Sequence, residues 1–184
     1  SGLRENFGTM TKPLHAGRAA ENGVTAAQLA KMGFTTAHNI LEARRGFFKA
    51  MAGGFDDEKI AGCLGRPYFI VEPGISIKPY PSGSLSHPAQ DLILDMVKTN
   101  NLRADDIDTV EVGTNSNVPN ALIYPMPKTA LEGKFSIPFC MAMGVLERKA
   151  GIAQFRDRKV REPRVVEFMK RVTLYVDKEM EDLG

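Results

Sequence analysis

Lys12 and His15 stand three residues apart around Pro13, in the segment Gly8-Thr9-Met10-Thr11-Lys12-Pro13-Leu14-His15-Ala16-Gly17, directly ahead of a run of helix formers. A cation and a potential base are thereby held close together. Pro13 disfavours helical geometry at the residue before it, so Lys12 is expected to be extended while His15 enters the first helical turn. A helix N-terminus adds partial positive charge and free N–H donors, which makes such a corner suited to an anionic group. The alternative is a solvated surface lysine, with a histidine satisfied by a backbone carbonyl.

A second segment, Lys78-Pro79-Tyr80-Pro81-Ser82-Gly83-Ser84-Leu85-Ser86-His87-Pro88, leads toward a helix through a loop with several hydroxyls and reads as a binding loop. His87 is expected at the N-cap ahead of Pro88, where the helix dipole disfavours an imidazolium and leaves a neutral ring suited to act as a base. Here too a plainer reading stands: His87 only caps the helix, and Lys78 faces water.

The remaining candidates are weaker. His38 lies within a helical stretch with no charged neighbour to tune it and reads as structural. Tyr124, in Tyr-Pro-Met-Pro, can reach a ligand but reads first as a packing clip, and Ser136 reads first as a helix cap. Cys63 and Cys140 are isolated, with no metal or redox spacing, and are expected to be buried and inert. No phosphate-cradling glycine loop, Gly-x-Ser-x-Gly elbow or His/Cys/carboxylate cluster occurs, so nucleotide, serine-hydrolase and metal chemistry are disfavoured. No metal and no cofactor are expected.

These residues sit in a chain of 184 residues that is 43% hydrophobic and 25% charged, the range of ordinary globular protein. Its 24 Lys and Arg against 22 Asp and Glu are scattered, so a nucleic-acid partner is not expected. Nothing reaches the roughly 18 consecutive apolar residues of a membrane span, and the first residues lack the pattern of a signal peptide. A cytoplasmic location follows as the default expectation.

Helix formers from His15 to Met32 stop at Gly33, Thr35 or Thr36 can cap a second helix carrying Ile40, Leu41 and Phe47, and Asp56 a third ending at Gly65. From Gly65 to Pro81 prolines and glycines break the helical period around a β-prone segment, Gly74 to Lys78, which places a domain boundary near residue 70. Pro88 then opens a helix expected to turn Leu92, Ile93, Met96 and Val97 to one face. A strand is expected over Asp108 to Gly113. Ser136 and Pro138 begin a helix carrying Phe139, Ala142, Met143 and Leu146; another carries Val165, Val166 and Met169, and a strand covers Val172 to Val176. The fold class is therefore α+β: a helical segment of an all-α domain, residues 1–70, followed by a smaller α+β domain, residues 71–184. The start runs almost directly into a motif-like segment and the last strand has no partner after it, so both ends read as cut.

Three stretches, GTMTKPLHAGRAAENGVTAAQLAKMGFT, IKPYPS...SHPA and PKTALEGKFSIPF, resemble successive signature regions of the MmgE/PrpD family, in the same order. The likeness extends over essentially the whole chain. It implies a large helical domain and a smaller α+β lid, with a di- or tricarboxylate held between them, and flanking chain on both sides. The activities it implies are dehydration of 2-methylcitrate, decarboxylation of cis-aconitate or epimerisation of iminodisuccinate, without metal or organic cofactor and in a homodimer.

Those reactions need cations to hold carboxylates, a base to take a proton beside one of them, and an acid for a leaving hydroxyl or a carbanion. By the resemblance, Lys12 and His15 match the family's Lys-Pro-x-His corner, Lys78 opens its Lys-x-Tyr/Phe-Pro motif with Tyr80 inside it, and His87 follows that motif's proline by six residues. Lys12 and Lys78 are then the expected carboxylate clamps, His87 or His15 the proton carrier, with Ser82 and Tyr80 as loop contacts. Gly83 departs from the many relatives that carry Cys or His there, which leaves substrate identity open. The resemblance also implies that acidic and histidine residues upstream of Ser1 contribute, so this segment alone is expected to have incomplete chemistry. If the helices belong to a larger domain, Ala19, Ala20, Ala27, Leu29 and Phe34 are expected to be exposed; full cover within the chain would weaken that view.

Overall fold

The computed structural model describes residues 2–181. In order, the chain forms α1 (Thr11–Lys31), α2 (Phe47–Ala52), α3 (Asp57–Ala61), α4 (His87–Thr99), β1 (Val110–Thr114), α5 (Asn117–Ala121), α6 (Ala130–Gly133), α7 (Ile137–Glu147), α8 (Asp157–Val160), α9 (Pro163–Met169), β2 (Val172–Val176) and α10 (Lys178–Glu181). It divides into two compact units. One comprises Ser1–Gly17 with Lys78–Gly184, the other Arg18–Ile77.

The first unit is built around α7. Ser136 caps it, its Oγ accepting from Phe139 N at 3.2 Å, and Pro138 occupies the first turn, where a missing N–H costs nothing. Every residue from Ile137 to Val145 is buried, so this helix is apolar all round and forms the middle of the core. Helices α4 and α9 and strand β2 pack against it. β1 and β2 pair in parallel with Val110 opposite Val172 and Thr114 opposite Val176, and the helices between them make the crossover that a parallel pair requires. Because Ser136 is fully buried and its hydroxyl satisfies an otherwise orphan N–H, Ser136→Ala is expected to lower stability by about 1 kcal/mol. Chemical denaturation of the variant measures this, and an unchanged midpoint would contradict the cap.

Several expectations need correction in this unit. Lys12 is helical: α1 starts at Thr11, Pro13 falls in its first turn, and Thr9 Oγ1 accepts from Thr11 N at 3.2 Å. Proline is tolerated there, and this outweighs its effect on the residue before it. The segment Gly74 to Lys78 forms no strand. In α4 the buried face is Gln90, Ile93, Leu94 and Val97, whereas Leu92 and Met96 are exposed; the polar Gln90, not a second apolar row, completes the inward stripe. β1 lies two residues later at its start than expected, over Val110–Thr114.

The second unit carries the rest of α1 together with α2 and α3. Asp56 caps α3 as expected, its carboxylate accepting from Lys59 N, but α3 ends at Ala61 rather than Gly65. The helix expected from Thr35 or Thr36 begins only at Phe47; turns occupy the intervening residues, and Phe47 N and Phe48 N donate to the carbonyls of Ile40 and Leu41. Ala19, Ala20, Ala27, Leu29 and Phe34 are all exposed, and Gly46 is the buried residue of this unit. Cys63 is exposed rather than buried, because no core forms around it, while Cys140 is buried as expected. Among the described residues no helix is long and apolar enough to cross a membrane.

Candidate active site

The first unit brings the two expected clamps to one place. A cleft of about 400 Å³ is lined by Arg4, Phe7, Lys12, Lys78, Gly83, Ser84, Leu85, Asn117, Ala121, Leu122 and Phe135. Three of these are cations and none is a carboxylate. Among the described residues, neither Lys12 nor Lys78 has a carboxylate within 4 Å. Lys12 Nζ lies over the rings of Phe7 and Phe135, 5.4 and 5.7 Å from their centroids. Aromatic faces hold an ammonium without neutralising it, so the charge stays available to an anion.

Phe7 is fixed by stacking on Phe135, with centroids 4.8 Å apart, and its carbonyl accepts from the Tyr124 hydroxyl at 2.7 Å. Gly8 permits this contact. Its φ is +79°, and a Cβ there would come within 2.5 Å of the Tyr124 ring, so both backbone conformation and close approach demand glycine. Tyr124 thus serves as a clip that holds the Arg4–Lys12 segment against the loop before α6, the role expected of it.

Lys78 Nζ donates to the Ser82 carbonyl at 3.1 Å, which ties the lysine to its own loop. That loop is held from below by a buried polar cluster. Fully buried Gln90 donates from Nε2 to Ser82 Oγ at 2.9 Å, Ser86 Oγ at 2.8 Å and the Ser86 carbonyl at 3.3 Å, and Ser86 Oγ donates to the Gly83 carbonyl at 2.7 Å. Gly83 N donates to the Lys134 carbonyl at 2.7 Å. Burial pushes the Cys140 thiol up to about 12, against the lowering effect of its hydrogen bonds with Ser86 and Ser82, so it remains a protonated part of the cluster. Ser82 is therefore an inward anchor, not a group facing the cleft, and its oxygen is satisfied within the protein.

The other expected site residues lie outside the cleft lining. Tyr80 donates to the Asp91 carboxylate and meets His87 edge to face, with centroids 5.4 Å apart. Burial, helped by the hydrogen bond and charge of Asp91, pushes its phenol up to about 12 and keeps it a donor. His87 is the first residue of α4, with Ser86 before it, so it is not the cap; its Nε2 is buried without a partner among the described residues. His15 is half-buried against the backbone of Gly2, where an added Cβ would stand 1.9 Å from Nδ1. The cleft as formed thus joins Lys12 and Lys78 but neither histidine.

Sequence reasoning missed Arg4, Asn117 and Gln90. Arg4 reaches the cleft because a 3-10 turn over Arg4–Asn6 folds back before α1, and no spacing rule announces that return. Gln90 did carry a signal, since it falls on the inward stripe three residues before Ile93. At Gly83 the backbone is ordinary, but a Cβ would stand 2.7 Å from Leu122 Cδ2, so Leu122 takes the space of the side chain that the glycine lacks.

Residues 80–183 match the sequence model of the MmgE/PrpD C-terminal domain, and residues 1–59 that of the MmgE/PrpD N-terminal domain. The chain belongs to the MmgE/PrpD family. Curated relatives include cis-aconitate decarboxylase of Mus musculus, 24% identical over 177 residues that cover 92% of this chain and 35% of the relative. Cis-aconitate decarboxylase of Homo sapiens is 23% identical over 176 residues, covering 92% and 36%. This MmgE/PrpD chain therefore spans about a third of the length of the curated relatives it matches.

Proposed function

We propose that this chain contributes the carboxylate-holding part of a lyase that acts on a di- or tricarboxylate, with decarboxylation of cis-aconitate or dehydration of 2-methylcitrate as the reaction. The observation that carries the proposal is the pairing of Lys12 and Lys78 at one cleft with no neutralising carboxylate among its lining residues. Arg4 adds a third cation, and a polycarboxylate is the small-molecule anion whose charge such a set matches. Similarity to two cis-aconitate decarboxylases supports the lyase class.

In a decarboxylation, loss of CO₂ leaves an electron pair on carbon, which the cations stabilise through the adjacent carboxylate until a proton carrier quenches it. In a dehydration the base takes the proton beside a carboxylate, and an acid protonates the departing hydroxyl. Lys12 and Lys78 are the clamps in either case. His87 or His15 is the proposed proton carrier; neither lines the cleft as formed, so that role requires residues elsewhere in the full-length protein to complete the site around them, and Tyr80 and Ser82 hold the loop. We further assign 1–70 to the all-helical domain and 71–184 to the lid, in a cytoplasmic homodimer that needs no metal or organic cofactor. The exposed Leu29 and Phe34 support a helical segment whose packing partners lie in other polypeptide. Epimerisation of a substituted succinate is the nearest alternative, since it uses the same clamps and a second proton carrier.

The test is to assay the full-length protein with cis-aconitate, following CO₂ and the dicarboxylate product, and in parallel with 2-methylcitrate, following the unsaturated acid. Turnover of either supports the lyase reading and names the substrate. Turnover of neither, alongside racemisation of a substituted succinate, would replace it with the epimerase.

A further inference from the structure

Gln90 stands where packing alone calls for an apolar side chain. It falls on the inward stripe of α4 with Ile93, Leu94 and Val97, and it is wholly buried. Its Oε1 is buried without a hydrogen-bond partner among the described residues, and an amide oxygen desolvated in this way costs stability that a methionine of similar length would not. The contacts of its Nε2 all go to the loop ahead of α4, to the hydroxyls of Ser82 and Ser86 and to the Ser86 carbonyl. The amide therefore serves the loop rather than the core.

The Ser82–Gly83 peptide links this amide to the cleft. Its N–H donates to the Lys134 carbonyl at 2.7 Å, and its carbonyl accepts from Lys78 Nζ at 3.1 Å. A trans peptide is planar and points its N–H and C=O in opposite directions, so the direction of one sets that of the other. A single hydrogen bond still lets the plane swing about its own axis. The bond from Gln90 Nε2 to Ser82 Oγ at 2.9 Å fixes one side of the plane, and the bond from Ser86 Oγ to the Gly83 carbonyl at 2.7 Å fixes the other. Lys78 and Gly83 line the cleft, whereas Gln90 does not.

We infer that Gln90 is a positioning residue for the cleft: it fixes Ser82, so that the Ser82 carbonyl aims the Lys78 ammonium at a bound carboxylate. The inference rests on the reading of Lys78 as a clamp. Lys78 is exposed, and a free lysine stem samples many rotamers; a carbonyl held in one place removes most of them before the ligand arrives. Gln90 acts only through Ser82 and Lys78, so its contribution is expected to vanish when the ammonium is absent.

A double-mutant cycle in the full-length protein tests this, with Gln90→Met and Lys78→Met made singly and together. The readout is affinity for citrate, a tricarboxylate probe, by titration calorimetry. Gln90→Met is expected to weaken citrate binding about 10-fold in the otherwise native protein, and by less than about twofold when Lys78→Met is already present. Its denaturation midpoint is expected to be unchanged or raised, because Ser82 Oγ keeps Ser86 Oγ at 2.9 Å and Ser86 Oγ keeps the Gly83 carbonyl, which leaves no buried hydroxyl stranded. Ser82→Ala removes only the hydroxyl that Gln90 holds and is expected to show the same coupling; it takes the place of Gln90→Met if that variant does not fold. Unaltered citrate affinity in these variants, or an equal loss in both backgrounds, would overturn the inference while leaving the clamp reading intact. Absence of citrate binding, or a Lys78→Met variant that binds citrate as well as the native protein, would overturn both.

Discussion

Lys78→Met in the full-length protein is expected to lower kcat/KM for its polycarboxylate substrate by about 10–100-fold, with little change in stability. Lys78 is exposed, and its ammonium is held at the cleft by one bond to the Ser82 carbonyl. An ammonium–carboxylate hydrogen bond contributes about 1.5–3 kcal/mol, and each 1.4 kcal/mol is about tenfold in rate or affinity. Methionine keeps most of the stem and removes the charge. Steady-state kinetics decide the matter, since an unaltered kcat/KM would take Lys78 out of the site. If the lysine binds substrate and transition state equally, the loss appears in KM; if it holds charge that develops during the reaction, it appears in kcat.

Phe139→Ala is expected to cost about 3–5 kcal/mol of stability, well above the loss expected for Ser136→Ala. Phe139 is fully buried in α7, meets Phe155 edge to face with centroids 5.4 Å apart, and packs against the backbone of Gly133, where an added Cβ would stand 3.0 Å from its ring. Neighbours on several elements would have to move together to close the cavity, so relaxation recovers little. A loss of only a few tenths of a kcal/mol by chemical denaturation would mean that α7 is not the middle of this core.

Elements with strong local signals are legible in the residues themselves. Ser136 and Asp56 cap α7 and α3 through side-chain bonds to amides three residues on, and β2 covers Val172–Val176, the strand-like segment expected there. Type and spacing leave Lys12 and Lys78 open between a clamp and a solvated lysine, and only the resemblance to the family's motifs singles them out. Weak signals fail where long-range packing is absent: in the second unit only Gly46 is buried among the described residues, and the helix expected from Thr35 or Thr36 shrinks to Phe47–Ala52. A short amphipathic stretch needs a surface to pack against before its period can hold it helical.

By itself, the sequence determined the α+β class, the caps of α3 and α7 and the family, because each depends on residues close in the chain or on ordered motifs. Tertiary structure alone decided that Lys12 and Lys78 share a cleft with Arg4, and that Gln90 fastens the loop between Lys78 and His87 from inside. It also decided that Tyr80 donates to Asp91 away from the cleft and that His15 and His87 stand outside it. These outcomes depend on where Phe7, Tyr124 and Phe135 meet across more than a hundred residues of chain, and on which side of α4 faces the core. Neither is encoded in local spacing, since a contact of that range forms only when the packing of all the intervening elements is settled.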